Sequence, residues 1–154
     1  MLETIIKVLP VIYVAVTVLP LLVIDLRQHR LPNRIILPMI VITFMSQFAL
    51  AILTSAWATF SISIGLGLVV LLLGVLMNYK GIIGMGDVKL LVGLTMLLAS
   101  FTVIGAVILA PISFVLGCIV TIIILFKRSI THLPLGPVVI VSFVSILAFT
   151  LVGN

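Results

Sequence analysis

Long apolar runs separated by short polar links set the outline of this chain. The first run extends from Ile5 to Ile24, interrupted only by Lys7 and two prolines, and gives way to the polar link "DLRQHRLPNR", Asp25 to Arg34. A second run, Ile35 to Leu53, ends at "TSAWAT", and a third continues from there to about Met77, where "NYK" closes it. A membrane-crossing helix needs about 20 mostly apolar residues, which each of these runs supplies. Leu90 to Phe126 carries no charge at all. As one helix it would be about 55 Å long, against a hydrocarbon core of about 30 Å. It therefore reads as two spans joined by a tight turn near Ser100 to Gly105. The fourth span has enough residues only if it begins close to Gly86, which sets Asp87 at or just inside the membrane boundary. After "KRSITH" a sixth run goes from Leu133 to Val152. The expected fold is an all-α membrane protein of six transmembrane helices, forming one membrane-embedded domain over residues 1–154. No internal repeat, low-complexity tract or appended soluble domain stands out.

Composition agrees with lipid as the solvent. The chain is 64% hydrophobic and 7% charged, with a mean hydropathy of +1.62. A soluble domain of this size leaves too much of its surface exposed to hide that much apolar area. The formal charge of +5 could suggest nucleic acid, but no basic face with interleaved aromatics exists, so no nucleic-acid partner is expected. All the lysines and arginines except Lys7 fall in the links after spans one, three and five: Arg27, Arg30, Arg34, Lys80, Lys89, Lys127 and Arg128. Positive links stay cytoplasmic, so both termini are expected outside. A cleaved signal peptide would carry a shorter apolar core followed by a small-residue cleavage site, and the N-terminal run has neither. Cys118, the single cysteine, lies inside an apolar segment and reads as a small buried hydrophobe. Neither a disulfide framework nor a cysteine zinc site can be built from it.

The acids carry the candidate chemistry. Only three exist, Glu3, Asp25 and Asp87. Glu3 belongs to the free terminus on the outer side. Asp25 closes span one and Asp87 opens span four, which sets both at the cytoplasmic face. If spans one and four pack together, at about 8–10 Å between axes, two short side chains can converge on one water. Such a pair hydrolyses a peptide bond when one carboxylate deprotonates the water and the other protonates the carbonyl oxygen. It needs no metal or cofactor. The helix ends favour a charged carboxylate at Asp87, beside an N-terminus, over one at Asp25, beside a C-terminus. The bland alternative is a pair of solvated boundary acids, Asp25 beside Arg27 and Asp87 beside Lys89.

The motifs around these acids narrow the choice. "GMGD", Gly84 to Asp87, resembles the GxGD membrane aspartyl proteases, and "GMGDVKLL" is similar to the version found in type IV prepilin peptidases. "DLRQHRLPN", Asp25 to Asn33, resembles that family's first aspartate followed by an arginine and an (I/L)PN element. "LPLGPVV", Leu133 to Val139, resembles its late PxGP element, with Leu135 where the family usually has Phe. The presenilin-type branch, with its YD and PAL motifs, fits less well. The resemblance implies a membrane aspartic endopeptidase in the cytoplasmic (inner) membrane of a prokaryote. Its catalytic pair maps onto Asp25 and Asp87. Its substrate would be a pilin-like precursor with a short basic leader and an N-terminal hydrophobic helix, cut after a glycine just before that helix. Larger members carry a cysteine-rich zinc insert and methylate the new N-terminus. This chain lacks the insert and is similar to the small form associated with tight-adherence pili.

Other residues have structural as well as functional readings. Gly84 and Gly86 permit close backbone approach and unusual dihedrals, for an extended substrate or for a plain helix-entry turn. Lys89 is a candidate to hold Asp87 ionised, to contact substrate, or to snorkel at the boundary. Arg27 is a supporting candidate beside Asp25. Pro32 and Asn33 read as the turn opening span two, with Asn33 as its cap. Pro134, Gly136 and Pro137 shape the start of span six. His29 and His132 are isolated link residues, Met77, Met85 and Met96 are packing residues, and Trp57 is an interfacial anchor. The rival functions are a small proton-coupled transporter, which needs a polar path to the outer face, and a noncatalytic membrane subunit. Apart from hydroxyls, Gln47 and Asn154, the outer half offers little for such a path.

Overall fold

The computed structural model describes residues 1–28, 32–81, 83–104, 106–108, 112 and 135–152. Among the described residues the elements are all helical: α1 (Leu2–Gln28), α2 (Asn33–Thr54), α3 (Trp57–Tyr79), α4 (Met85–Ala99) and α5 (Leu135–Val152). Two of them, α2 and α3, are long and apolar enough throughout to cross a membrane. Helical backbone resumes at residues 103–104, 106–108 and 112. The turn expected near Ser100 to Gly105 is present at Ser100–Thr102, where the Ser100 and Phe101 N–H groups reach back three residues to the Leu97 and Leu98 carbonyls. As expected for a short span, α4 begins at Met85.

Several helix boundaries differ from the apolar runs. α1 continues past Ile24 to Gln28, beyond its apolar run. α3 continues to Tyr79 and ends in a reversal at Gly81, whose φ of 70° is the left-handed conformation suited to a residue without Cβ. At the other end of α3, Ser55 takes a left-handed φ of 55°, so α2 and α3 form a tight hairpin. Rings of Phe48, Trp57 and Phe60 pack edge-on or tilted across that hairpin, at centroid distances of 5.7–6.2 Å.

Four helices close a ring in which α1 packs on α2, α2 on α4, α4 on α5, and α5 on α1. Their shared core includes Leu21 of α1, Ile36 and Met39 of α2, Leu94 and Leu98 of α4, and Phe143 of α5. α3 lies outside the ring, mainly against α4. Every residue from Val92 to Ala99 is buried, so α4 is enclosed on all sides along its second half. Glycines allow its close approach to neighbours, as small residues do between membrane helices. Met96 of α4 seats on Gly67 of α3, Val88 of α4 seats on Gly74 of α3, and Met39 of α2 seats on Gly93 of α4.

Spans one and four, whose direct packing was the condition for bringing the acids together, are not among the helix pairs in extensive contact. Among the described residues α1 and α4 occupy opposite corners of the ring, with α2 and α5 between them. Hydropathy alone does not say which apolar helices touch, and the Gly67 and Gly74 notches give α4 to α3.

Candidate active site

Polar side chains fix which helix ends lie together. Tyr13 donates its hydroxyl to the Ile35 carbonyl (3.0 Å), and Ser46 donates to the Ile6 carbonyl, so α1 and α2 run antiparallel. The Gln47 amide donates to the Met96 carbonyl, while Lys89 donates to Asn33 (3.0 Å), so α2 and α4 run in the same direction. The C-terminus of α1 and the N-termini of α2 and α4 therefore share one end of the bundle. That end contains Asp25 in the last turn of α1 and Asp87 in the first turn of α4.

Each acid continues a core stripe of its helix. Residues three, four, seven and eleven apart lie on one helix face. Asp25 occupies the register position that follows Val14 and Leu21, which are 5% and 2% exposed. Its side chain, and that of Arg27, lie outside the described part. Asp87 is half-buried and stands on the α4 face that continues as Leu94 and Leu98, both at most 1% exposed. The acids thus sit at the mouth of the bundle, on diagonal helices, each at the end of an inward stripe.

The approach to Asp87 is built from backbone. After Gly81 turns the chain, Asn78 donates its side-chain amide to the Ile83 carbonyl (2.8 Å) and holds the link against the end of α3. Gly84 is the N-cap of α4, and its carbonyl accepts from the Val88 N–H (3.2 Å). Its φ of −71° and ψ of 144° are ordinary extended values, so the expected unusual dihedral is absent there. What Gly84 supplies is space, since a Cβ on it would lie 3.1 Å from Asp87 Oδ2. The unusual dihedral belongs to Gly81, which the sequence reasoning missed. A glycine just past the last residue of an apolar helix was the available signal. Gly86 lies within the first turn of α4.

Lys89 and Asn33 also differ from expectation. Pro32, not Asn33, takes the N-cap place of α2, and its carbonyl accepts from the Ile35 and Ile36 N–H groups (3.1 and 3.4 Å). The Asn33 carboxamide receives the Lys89 ammonium instead. Residues two apart on a helix do not face each other, so Lys89 points to α2 while Asp87 keeps the bundle-facing side. Gly136 and Pro137 fall in the first turn of α5. His29, Arg30, Cys118, Lys127, Arg128, His132 and Pro134, each given a reading from the sequence, lie outside the described residues. Among the described residues no three His, Cys, Asp or Glu side chains gather into a metal site.

At the other end of α4, Gln47 of α2 and Ser63 of α3 both donate to the Met96 carbonyl, the serine at 3.0 Å. The sequence marked Gln47 as one of the few polar groups of the outer half. Here its amide nitrogen is occupied in joining helices.

Comparison with curated proteins and with solved structures gives no match. The model of the type IV leader peptidase family matches residues 12–153, a span that contains both acids, the Pro32–Asn33 element, the GMGD stretch and all of α5. With that match over nearly the whole chain, on an all-helical scaffold with membrane-length apolar helices, this protein belongs to the type IV leader peptidase family and is a membrane peptidase.

Proposed function

We propose that this peptidase is an aspartic endopeptidase in which Asp25 and Asp87 form the water-activating pair. The observation that carries the proposal is their common position: the last turn of α1 and the first turn of α4 lie at one end of the bundle, each acid continuing an inward stripe. Diagonal helices do not preclude this. With neighbours about 8–10 Å apart the diagonal axes are about 11–14 Å apart, and the two inward Cα positions approach by about 2.3 Å each. The remaining gap suits two short carboxyls and one water between them.

In the reaction, the ionised carboxylate takes a proton from water as its oxygen bonds to the scissile carbonyl carbon. The protonated carboxyl gives its proton to the carbonyl oxygen, forming a neutral tetrahedral diol. In the collapse the second carboxylate takes a proton back from a diol hydroxyl as the carbonyl re-forms and the C–N bond breaks, and the leaving nitrogen takes the proton that the first carboxylate had acquired. Two carboxyls held close share one proton because both cannot ionise easily, which supplies one acid and one base together.

The substrate is a pilin-like precursor whose hydrophobic helix lies in the membrane and whose basic leader stays in the cytoplasm. A helix hides its amides in its own hydrogen bonds, so the cut segment must be extended where it leaves the bilayer. If the chain takes the expected six-span arrangement, with Arg34, Lys80 and the other basic links cytoplasmic, the reaction takes place at the inner face of the cytoplasmic membrane. The test is coexpression of such a precursor with the wild type, Asp25→Asn and Asp87→Asn, followed by mass spectrometry of the product's N-terminus. Loss of shortening in both variants supports the pair. Shortening by either variant at the wild-type rate rejects it. The new N-terminus also reports whether the product is methylated.

A further inference from the structure

The two motifs that carry the acids meet at one hydrogen bond. Lys89, two residues after Asp87, donates to Oδ1 of Asn33, the first residue of α2. Asn33 in turn follows Asp25 by eight positions in the same motif. Because α1 and α4 sit at opposite corners, the placement of Asp25 relative to Asp87 is transmitted by the helices between them. On the α2 side, Met39 seated on Gly93 fixes the two helices deeper in the membrane. At the mouth, the joint is Asn33 with Lys89.

The chemistry of the pair suits a joint better than a catalytic group. Lys89 is half-buried, so its stem lies along the helices while its ammonium reaches the more exposed Asn33. Pointing to α2, it is directed away from the face that carries Asp87. The Asn33 side-chain oxygen serves simply as an acceptor for the ammonium.

We propose that Asn33 and Lys89 are positioning residues for the peptidase reaction, their hydrogen bond setting the spacing between the Asp25 and Asp87 segments. This rests on the aspartic pair proposed above. The bond touches neither water nor the scissile peptide. Breaking it lets the first turn of α4 shift against α2, and the acids lose their alignment while the substrate helix still binds.

The experiment uses the full chain in proteoliposomes with a pilin-like precursor that has a basic leader, a glycine before the cut and an apolar helix. The variants are Lys89→Met, Asn33→Leu, the double variant and Asn33→Asp, which keeps an acceptor for the ammonium. Each single loss is expected to lower kcat about tenfold with KM unchanged, inside the roughly hundredfold that a 1 Å misplacement can cost. The double variant should be no slower than either single, and Asn33→Asp should recover most of the rate. If Asn33→Leu does not accumulate in the membrane, Asn33→Ser, too short to reach Lys89, replaces it. The proposal is overturned if the losses multiply in the double variant, if KM rises while kcat holds, or if the single variants keep the full rate. Asp25→Asn and Asp87→Asn are run alongside. If those are inactive while the Asn33 and Lys89 variants are normal, the joint fails and the acid pair stands; if the aspartate variants cleave, the underlying pair fails.

Discussion

Gly74→Ala tests how closely the position of Asp87 depends on the packing beside it. A Cβ at residue 74 would lie 2.9 Å from Val88 Cγ2 and 3.2 Å from Val88 Cβ, with Cγ1 nearer still. Ordinary contact begins at 3.4 Å, so something must move by at least about 0.5 Å. Val88 cannot turn aside cheaply. It is 3% exposed, and a β-branched residue in a helix has one strongly preferred rotamer. The start of α4 must then retreat from α3 and take the adjacent Asp87 with it. Overpacking of this kind costs about 1–3 kcal/mol, partly offset by up to about 1 kcal/mol when alanine replaces glycine in a helix. The stability loss is therefore small, about 0–2 kcal/mol. The rate is more sensitive, because 1 Å of misplacement can cost about a hundredfold, and about tenfold is expected here. Precursor cleavage and thermal unfolding of the purified protein in detergent separate the two effects. Adding Val88→Ala removes both γ-carbons and leaves the Cβ at 3.2 Å as the nearest contact of Val88, so the double variant should regain most of the rate. A Gly74→Ala protein with normal rate and stability, or a double variant as slow as the single, refutes this account of how Asp87 is held.

Three further outcomes follow from the same geometry. Gly84→Ala puts a methyl 3.1 Å from Asp87 Oδ2, so kcat should fall about tenfold while the melting temperature holds. A variant with unchanged kcat would show that the carboxylate does not need that space. Ser63→Ala removes one of two donors to the Met96 carbonyl and should cost about 1 kcal/mol in thermal unfolding, with kcat unchanged, since the lost bond is at the far end of α4. A proton shared by Asp25 and Asp87 predicts a bell-shaped rate profile: in acid both carboxyls are protonated and no base remains for water, and in alkali both are ionised and no acid remains for the carbonyl oxygen. A rate that climbs with pH to a sustained plateau would contradict the shared proton.

Much of the element pattern was legible because the bilayer imposes a length on every apolar run. The uncharged stretch after Lys89 is too long for one crossing, and that alone predicts a turn near Ser100 to Gly105 and a span beginning close to Gly86, near the observed turn at Ser100–Thr102 and the start of α4 at Met85. The acids stand out in the sequence for a related reason, since a carboxylate at the end of an apolar run is costly without a partner or a function. Neighbour relations were not. Helices such as α3 and α5 are apolar on every side, so their sequences do not say which face meets protein and which meets lipid. The seat of Val88 on Gly74 is a matter of shape, and the Met96 carbonyl that receives Gln47 and Ser63 is backbone, invisible to any residue pattern. The direction of Lys89 was in principle available, because helical spacing of two residues separates it from Asp87.

The burial of α4 bears on how a membrane enzyme can hold an acid still. A carboxylate near hydrocarbon is costly, and a helix N-terminus offsets part of that cost through its unpaired N–H groups. Asp87 gains this from its place in the first turn, and Gly84 leaves its Oδ2 room to fold back toward that turn. The rest of α4 is enclosed by α2, α3 and α5, its far end bound by side chains from two helices and its near end by Lys89 on Asn33. Fastened at both ends, a helix of only 15 residues has little freedom to follow its substrate. On the mechanism proposed above, the extended segment of the precursor must therefore come to Asp87, entering at the mouth of the bundle where the stripe that carries Asp25 also ends.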